Sequence, residues 1–212
     1  MLQKKRKKAE KRVKIKAVFF DLGGVILRTE DRSPRFNLAE SLGLSYEEID
    51  RRVFENESSK KASLGFITEQ EHWLNIAKSF NLSESDADRL KFEFFAGDRI
   101  DDDLLDLIRS LRPERLVGVI SNAWSGMRPW MDEHKIADVF DDMVISAEVG
   151  LAKPDPRIYQ LAMQNLQVHP QESVFIDDMP RNVKAAREVG MKAILFEGPT
   201  QAIAELNSLL ND

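Results

Sequence analysis

Six residues with chemistry to offer stand where short apolar runs end. Asp21 follows Ala17–Phe20, Ser121 and Asn122 follow Leu116–Ile120, Asp177 and Asp178 follow Val174–Ile176, and Lys153 lies in the loop after Met143–Ile145. If each run is a strand of one parallel sheet, all of these groups emerge at its carboxyl edge, where open α/β sheets bind ligands. Taken singly, an aspartate after a strand is usually a helix cap or turn residue, and the whole set could form a solvated acidic rim. Three coincident strand ends joined by a lysine argue instead for a crevice. Crowded carboxylates raise one another's pKa unless a cation holds them, so Asp21, Asp177 and Asp178 imply a bound metal. A ligand set made only of oxygen favours Mg²⁺ over zinc or copper. A divalent cation beside a lysine and a serine hydroxyl makes a cradle for a dianion, which points to phosphate.

Positioning these groups requires a particular order of elements. The runs Ala17–Phe20, Leu116–Ile120, Met143–Ile145, Val174–Ile176 and Ala193–Phe196 are separated by helical segments, the pattern of an α/β fold with a parallel sheet and crossover helices. Asp155-Pro156 offers a cap followed by proline at the first helical position, Gly190 ends the segment Asn182–Val189, and Pro199-Thr200 starts a last helix reaching Leu210. From about residue 30 to 98 this alternation stops. Ser45 and Thr68 each begin a capping-box spacing, and Ser83 precedes a third amphipathic stretch reaching Phe95, with no good strand between. The expected organisation is a basic arm over 1–14, an α/β core over 15–29 and 99–212, and an all-helical insertion over 30–98. The insertion would project from the sheet edge where the first strand ends.

Composition narrows the setting. The 212 residues allow one sizeable core domain and a smaller appendage, and the chain has no cysteine, which excludes disulfides and thiolate metal sites. His72, His134 and His169 are too scattered to suggest a histidine zinc site. No apolar run approaches the roughly 20 residues that cross a bilayer, and the N-terminus has no apolar segment resembling a signal peptide, so a soluble, cytoplasmic protein is expected. Residues 1–16 carry nine Lys/Arg against Glu10, a local charge of +8, which with a total of −5 leaves the rest near −13. Such an arm could touch nucleic acid or anionic lipid. The acidic body would repel a phosphate backbone, so a solvated tail or helix extension is the expected reading, without a nucleic-acid or membrane partner. Monomer and homodimer both remain open.

In order and spacing, these residues resemble the four motifs of the haloacid dehalogenase superfamily of hydrolases. Asp21-Leu22-Gly23-Gly24-Val25 is similar to the first, Ser121 to the second, Lys153 in Gly150-Leu151-Ala152-Lys153-Pro154-Asp155 to the third, and Asp177-Asp178 to the fourth, together covering about residues 15–197. The resemblance implies a Rossmann-like core of central strand order 3-2-1-4-5, with the insertion acting as a helical cap that selects the substrate. It implies Asp21 as a nucleophile that becomes transiently phosphorylated, Ser121 and Lys153 holding phosphoryl oxygens, and Mg²⁺ bound by Asp21, the Gly23 carbonyl and Asp178. Asp177 would be a further ligand or a partner of one, and Asn122 would orient substrate or nucleophile. The implied function is Mg²⁺-dependent hydrolysis of a small phosphorylated metabolite, such as a sugar phosphate.

One position departs from the pattern. Most phosphatase members carry a second Asp two residues after the nucleophile as general acid and base, and here Gly23 stands there. Its carbonyl can still face a metal, but it cannot move a proton, a loss of roughly 10²- to 10⁴-fold. Substrates whose leaving oxygen needs little protonation should suffer least, and a phosphomutase is disfavoured. A 2-haloacid dehalogenase, which needs no such proton, is an alternative opposed by the Asp177-Asp178 pair. A weakly catalytic phosphate-binding regulator is another. Trp124 and Trp130 could stack on a sugar but are expected to pack, and His72 with Trp73 is expected to pack within the insertion; His72 and Asp31 are nonetheless the first candidates for a replacement acid.

Overall fold

The computed structural model describes residues 13–211; most of the expected basic arm, residues 1–12, and Asp212 lie outside the described residues. In chain order the elements are β1 (Ala17–Phe20), β2 (Leu27–Thr29), α1 (Ser33–Ser41), α2 (Tyr46–Phe54), α3 (Glu57–Ser63), α4 (Glu69–Ser79), α5 (Ala87–Phe95), β3 (Asp98–Ile100) and α6 (Asp102–Leu111). They continue with β4 (Leu116–Ser121), α7 (Met127–Glu133), β5 (Asp142–Ile145), α8 (Ser146–Val149), α9 (Pro156–Asn165), β6 (Ser173–Asp177), α10 (Pro180–Glu188), β7 (Lys192–Leu195) and α11 (Pro199–Asn211). Among the described residues no helix is long and apolar enough to cross a membrane.

The main sheet runs β5-β4-β1-β6-β7 and every neighbouring pair is parallel, which is the order 3-2-1-4-5 for its five strands. Both faces are covered, which is why the strands read as continuous apolar runs and not as alternating ones. Val18, Phe20, Val119 and Ile176 pack with Leu104, Leu105, Ile108 and Leu206 on one face. Ala17, Phe19, Ile120 and Phe175 pack with Ile158, Tyr159, Val183 and Ala186 on the other.

Helices α1–α5 have a core of their own, built from Leu38, Ile49, Val53, Trp73, Ile76, Leu90 and Phe94. Ser45 and Thr68 close reciprocal capping boxes with Glu48 and Glu71, so these helix starts follow from local chemistry. Ser83 opens a short 3₁₀ turn that leads into α5. The insertion is joined to the sheet by a two-stranded antiparallel ribbon, Leu27 opposite Ile100 and Thr29 opposite Asp98. No strand is expected there from the sequence, because three-residue strands of half-buried, partly charged residues show no usable periodicity.

Candidate active site

The register of the sheet brings the expected residues together. Phe20 pairs with Val119 on one side and Ile176 on the other, so Asp21 and Asp177 leave the sheet at the same level, with Ser121 one residue beyond on β4. Lys153 arrives from the loop after α8 and is almost wholly buried. Its Nζ lies 2.7 Å from Asp21 Oδ2 and 2.7 Å from Asp177 Oδ2, tying the ends of β1 and β6 to one cation. The Leu22 N–H donates to Asp21 Oδ1 at 2.7 Å, and the Ser121 hydroxyl hydrogen-bonds the same side chain.

Asp177 has no oxygen to spare. Oδ1 accepts from the Met179 N–H at 2.8 Å and from Asn182 Nδ2 at 3.0 Å, and Oδ2 accepts from Asn182 at 3.1 Å as well as from Lys153. In this arrangement Asp177 holds Lys153. Asp178 is different: it is half-buried, and among the described residues its carboxylate receives no hydrogen bond from another side chain. Oxygens of Asp21, Asp177 and Asp178 all lie within 4.8 Å of one another. Burial is the main cause that raises the pKa of Asp21, opposed by Lys153 and reinforced by Asp177; burial followed by Asp177 raises that of Asp178. Three carboxylates share one lysine here, so the site is short of positive charge. Gly23 is exposed, and its carbonyl accepts no hydrogen bond among the described residues. The donors left over are all oxygen, and they fit a hard divalent cation.

Asn122 does not turn its amide to the crevice: Nδ2 donates to the Lys153 carbonyl at 2.9 Å and Oδ1 accepts the Lys153 N–H at 2.7 Å, so the side chain clamps the lysine's loop. His72 is fully buried among the insertion's helices, with Nδ1 2.9 Å from Ser58 Oγ and its ring 4.3 Å from that of Trp124. Burial pushes its pKa down to about 4, which makes it a poor proton reservoir at neutral pH. Asp31 accepts the Ser33 N–H at 2.9 Å at the start of α1, a bond that holds its pKa below the usual range, so it is not a carboxylic acid in waiting either. Trp130 stacks on His134 with ring centroids 4.1 Å apart, and Trp124 sits inside the insertion's aromatic cluster.

Two residues escape the sequence reading. Asn182 is buried and fixes Asp177 from the first turn of α10; the signal was an amide five residues after a strand-end aspartate, too common to stand out. Gly24 has φ +80°, and a Cβ there would lie 2.3 Å from Asp178 Oδ2, so only glycine lets this turn pass the carboxylate.

The family model described as haloacid dehalogenase-like hydrolase matches residues 15–190. Acyl-CoA dehydrogenase family member 10 of Mus musculus is 44% identical over 71 residues, a match covering 34% of this chain and only 7% of that protein. D-ribitol-5-phosphate phosphatase of Bacteroides thetaiotaomicron is 27% identical over 214 residues, covering 93% of this chain and 99% of that one. A crystal structure of a HAD family enzyme from the same organism, in complex with magnesium and inorganic phosphate, superposes with a TM-score of 0.71 at 26% identity over 85% of this chain and 93% of that one.

Proposed function

We propose, from the premise that this chain belongs to the haloacid dehalogenase-like hydrolases, that it hydrolyses a small phosphate monoester through an aspartyl-phosphate at Asp21. The observation that carries this reading is Lys153 bridging Asp21 and Asp177 while Asp178 stands free beside them. A buried carboxylate held against a lysine and a serine hydroxyl is placed to meet a phosphoryl group. The relatives that span nearly the whole chain, a ribitol-phosphate phosphatase and a magnesium–phosphate complex, support the same chemistry.

An oxygen of Asp21 attacks phosphorus, the bond from phosphorus to the ester oxygen breaks, and that oxygen leaves with the electron pair. Lys153 and Ser121 hold the charge of the transferring group. Water then attacks the acyl phosphate, releasing inorganic phosphate and restoring Asp21. Asp21, Asp178 and the Gly23 carbonyl would hold Mg²⁺, which when bound supplies positive charge to the phosphoryl oxygens. With Gly23 in place of an acid, the leaving oxygen takes its proton from solvent. The helices α1–α5 act as a cap over the crevice and choose the substrate.

A screen of phosphate release over sugar phosphates, nucleotides and amino-acid phosphates, with Mg²⁺ and with EDTA, tests this. Activity should disappear with EDTA and return with Mg²⁺, and Asp21→Asn should retain less than about a hundredth of it. Metal-independent turnover of a 2-haloacid would replace this reading with the dehalogenase one.

A further inference from the structure

We propose that Trp124 is a positioning residue that ties the seating of helices α1–α5 to the geometry of Lys153. Trp124 stands three residues beyond Ser121, yet its side chain packs with neither face of the sheet; it belongs to the core of the insertion. Its ring is 4.3 Å from His72, stacked on Phe54 at 5.8 Å and 29°, 6.0 Å from Trp73 and 6.4 Å from Phe95. The next residue continues the contact, since Ser125 Oγ accepts the Glu69 N–H at 3.1 Å at the first turn of α4. Gly126 follows, so close that a Cβ would lie 1.8 Å from Glu69 Oε2.

The same segment is bound just as firmly to the catalytic edge. Asn122 exchanges two hydrogen bonds with the Lys153 backbone. The Ala123 N–H donates to Ser146 Oγ at 3.1 Å, and that hydroxyl donates back to the Ala123 carbonyl at 3.2 Å. Residues 121–126 are therefore shared between the site and the insertion, with no slack residue between Asn122, which grips the lysine loop, and Trp124, which is caged by the helices. A packed segment of this kind transmits displacement because neither end can relax alone. Lifting the helices draws Trp124 with them, moves Asn122 and loosens the loop that presents Lys153. Lys153 is then held against Asp21 and Asp177 only while the insertion is seated.

The test uses hydrogen exchange on the full chain, with steady-state kinetics on the same proteins. Trp124→Ala should speed exchange of the Lys153 amide, whose N–H Asn122 Oδ1 accepts, by about tenfold or more, the size of a typical coupling between packed sites, and that of the adjacent Ala123 amide with it. Trp124→Phe, which keeps an aromatic in the cage, should restore both to near wild type. Ser125→Ala, a milder unseating, should raise Lys153 exchange in the same direction and decides the matter if Trp124→Ala fails to fold. In the kinetics, Trp124→Ala should lower kcat by about tenfold and the Phe variant should recover it. Unchanged exchange at Lys153 in a variant whose α4 has loosened would overturn the proposal and leave Trp124 as packing alone. The kinetic arm rests on the phosphatase reading and the exchange arm does not. A wild-type chain that cleaves no phosphate ester, but shows the exchange pattern, would remove that reading and keep this one.

Discussion

At Gly23 a Cβ would meet no atom within 4 Å and the backbone is not left-handed, whereas at Gly24 both space and φ forbid a side chain. The first glycine is therefore a chemical choice and the second a structural one. Gly23→Asp should fold normally and flatten the plot of log kcat/KM against leaving-group pKa, which in the wild type should fall steeply because an unassisted oxygen departs as an anion. A flat wild-type plot with phosphorylation rate-limiting would mean that another group supplies the proton. Gly24→Ala should instead displace Asp178 and cost at least about 10² in Mg²⁺-dependent turnover, the scale of one catalytic group. The positions of Asp21, Ser121, Asp177 and Asp178 were legible because a polar residue ending an apolar strand has only one edge to occupy, and Lys153 because it lies in a loop that follows a strand of the same sheet. The jobs of Asn122 and Asn182 were not legible. An amide's function depends on which neighbour its two ends meet, and no spacing along the chain records that.

Among the elements, the helix starts at Ser45, Thr68 and Asp155 were readable since a capping side chain acts within four residues of itself. The β2–β3 ribbon was not readable, because its pairing is set by residues about 70 apart and by a buried arginine. Arg35 Nη1 meets Asp50 at 2.8 Å, and its other nitrogens reach Asp98 and Thr29 on the ribbon at 3.3 and 3.2 Å and the Phe94 carbonyl at 3.1 Å. Removing it takes the paired guanidinium from Asp98, half-buried with its pKa raised mainly by that burial, and leaves that carboxylate the Thr29 hydroxyl, so Arg35→Gln should cost about 3 kcal/mol in a urea melt. His72 gives the insertion a pH dependence of definite sign. Its folded pKa, about 4, lies below the ordinary 6.5, so between those values the unfolded chain binds a proton that the folded chain refuses. Stability is then whole above pH 6.5 and falls as the pH drops toward 4, by about 1.4 kcal/mol per unit at most. His72→Gln should flatten that part of the profile, seen as urea midpoints at pH 7 and pH 5 that lie closer together than those of the wild type.

Across the whole molecule, charge is uneven along the chain: residues 1–16 carry +8 while the rest sums to about −13. The chain enters β1 at Ala17, where Lys16 pairs with Glu172 at 2.6 Å, and the catalytic edge begins after Phe20. Four strand residues rise about 13 Å, which exceeds the roughly 8 Å screening length at physiological salt but not the roughly 30 Å at 0.01 M. Removing residues 1–12 deletes seven Lys/Arg and Glu10, and with them only Met1, Leu2 and Ala9 as apolar residues. The truncated protein should keep its melting temperature, and at 150 mM salt its kcat/KM should stay within about twofold, the range of a surface change. At 10 mM salt the same truncation should raise KM for a dianionic ester, since the positive potential that the arm adds to an acidic body is then felt at the crevice. Truncation that lowers kcat at high salt, or that unfolds the protein, would mean that the arm makes contacts of its own with the core and does more than add charge.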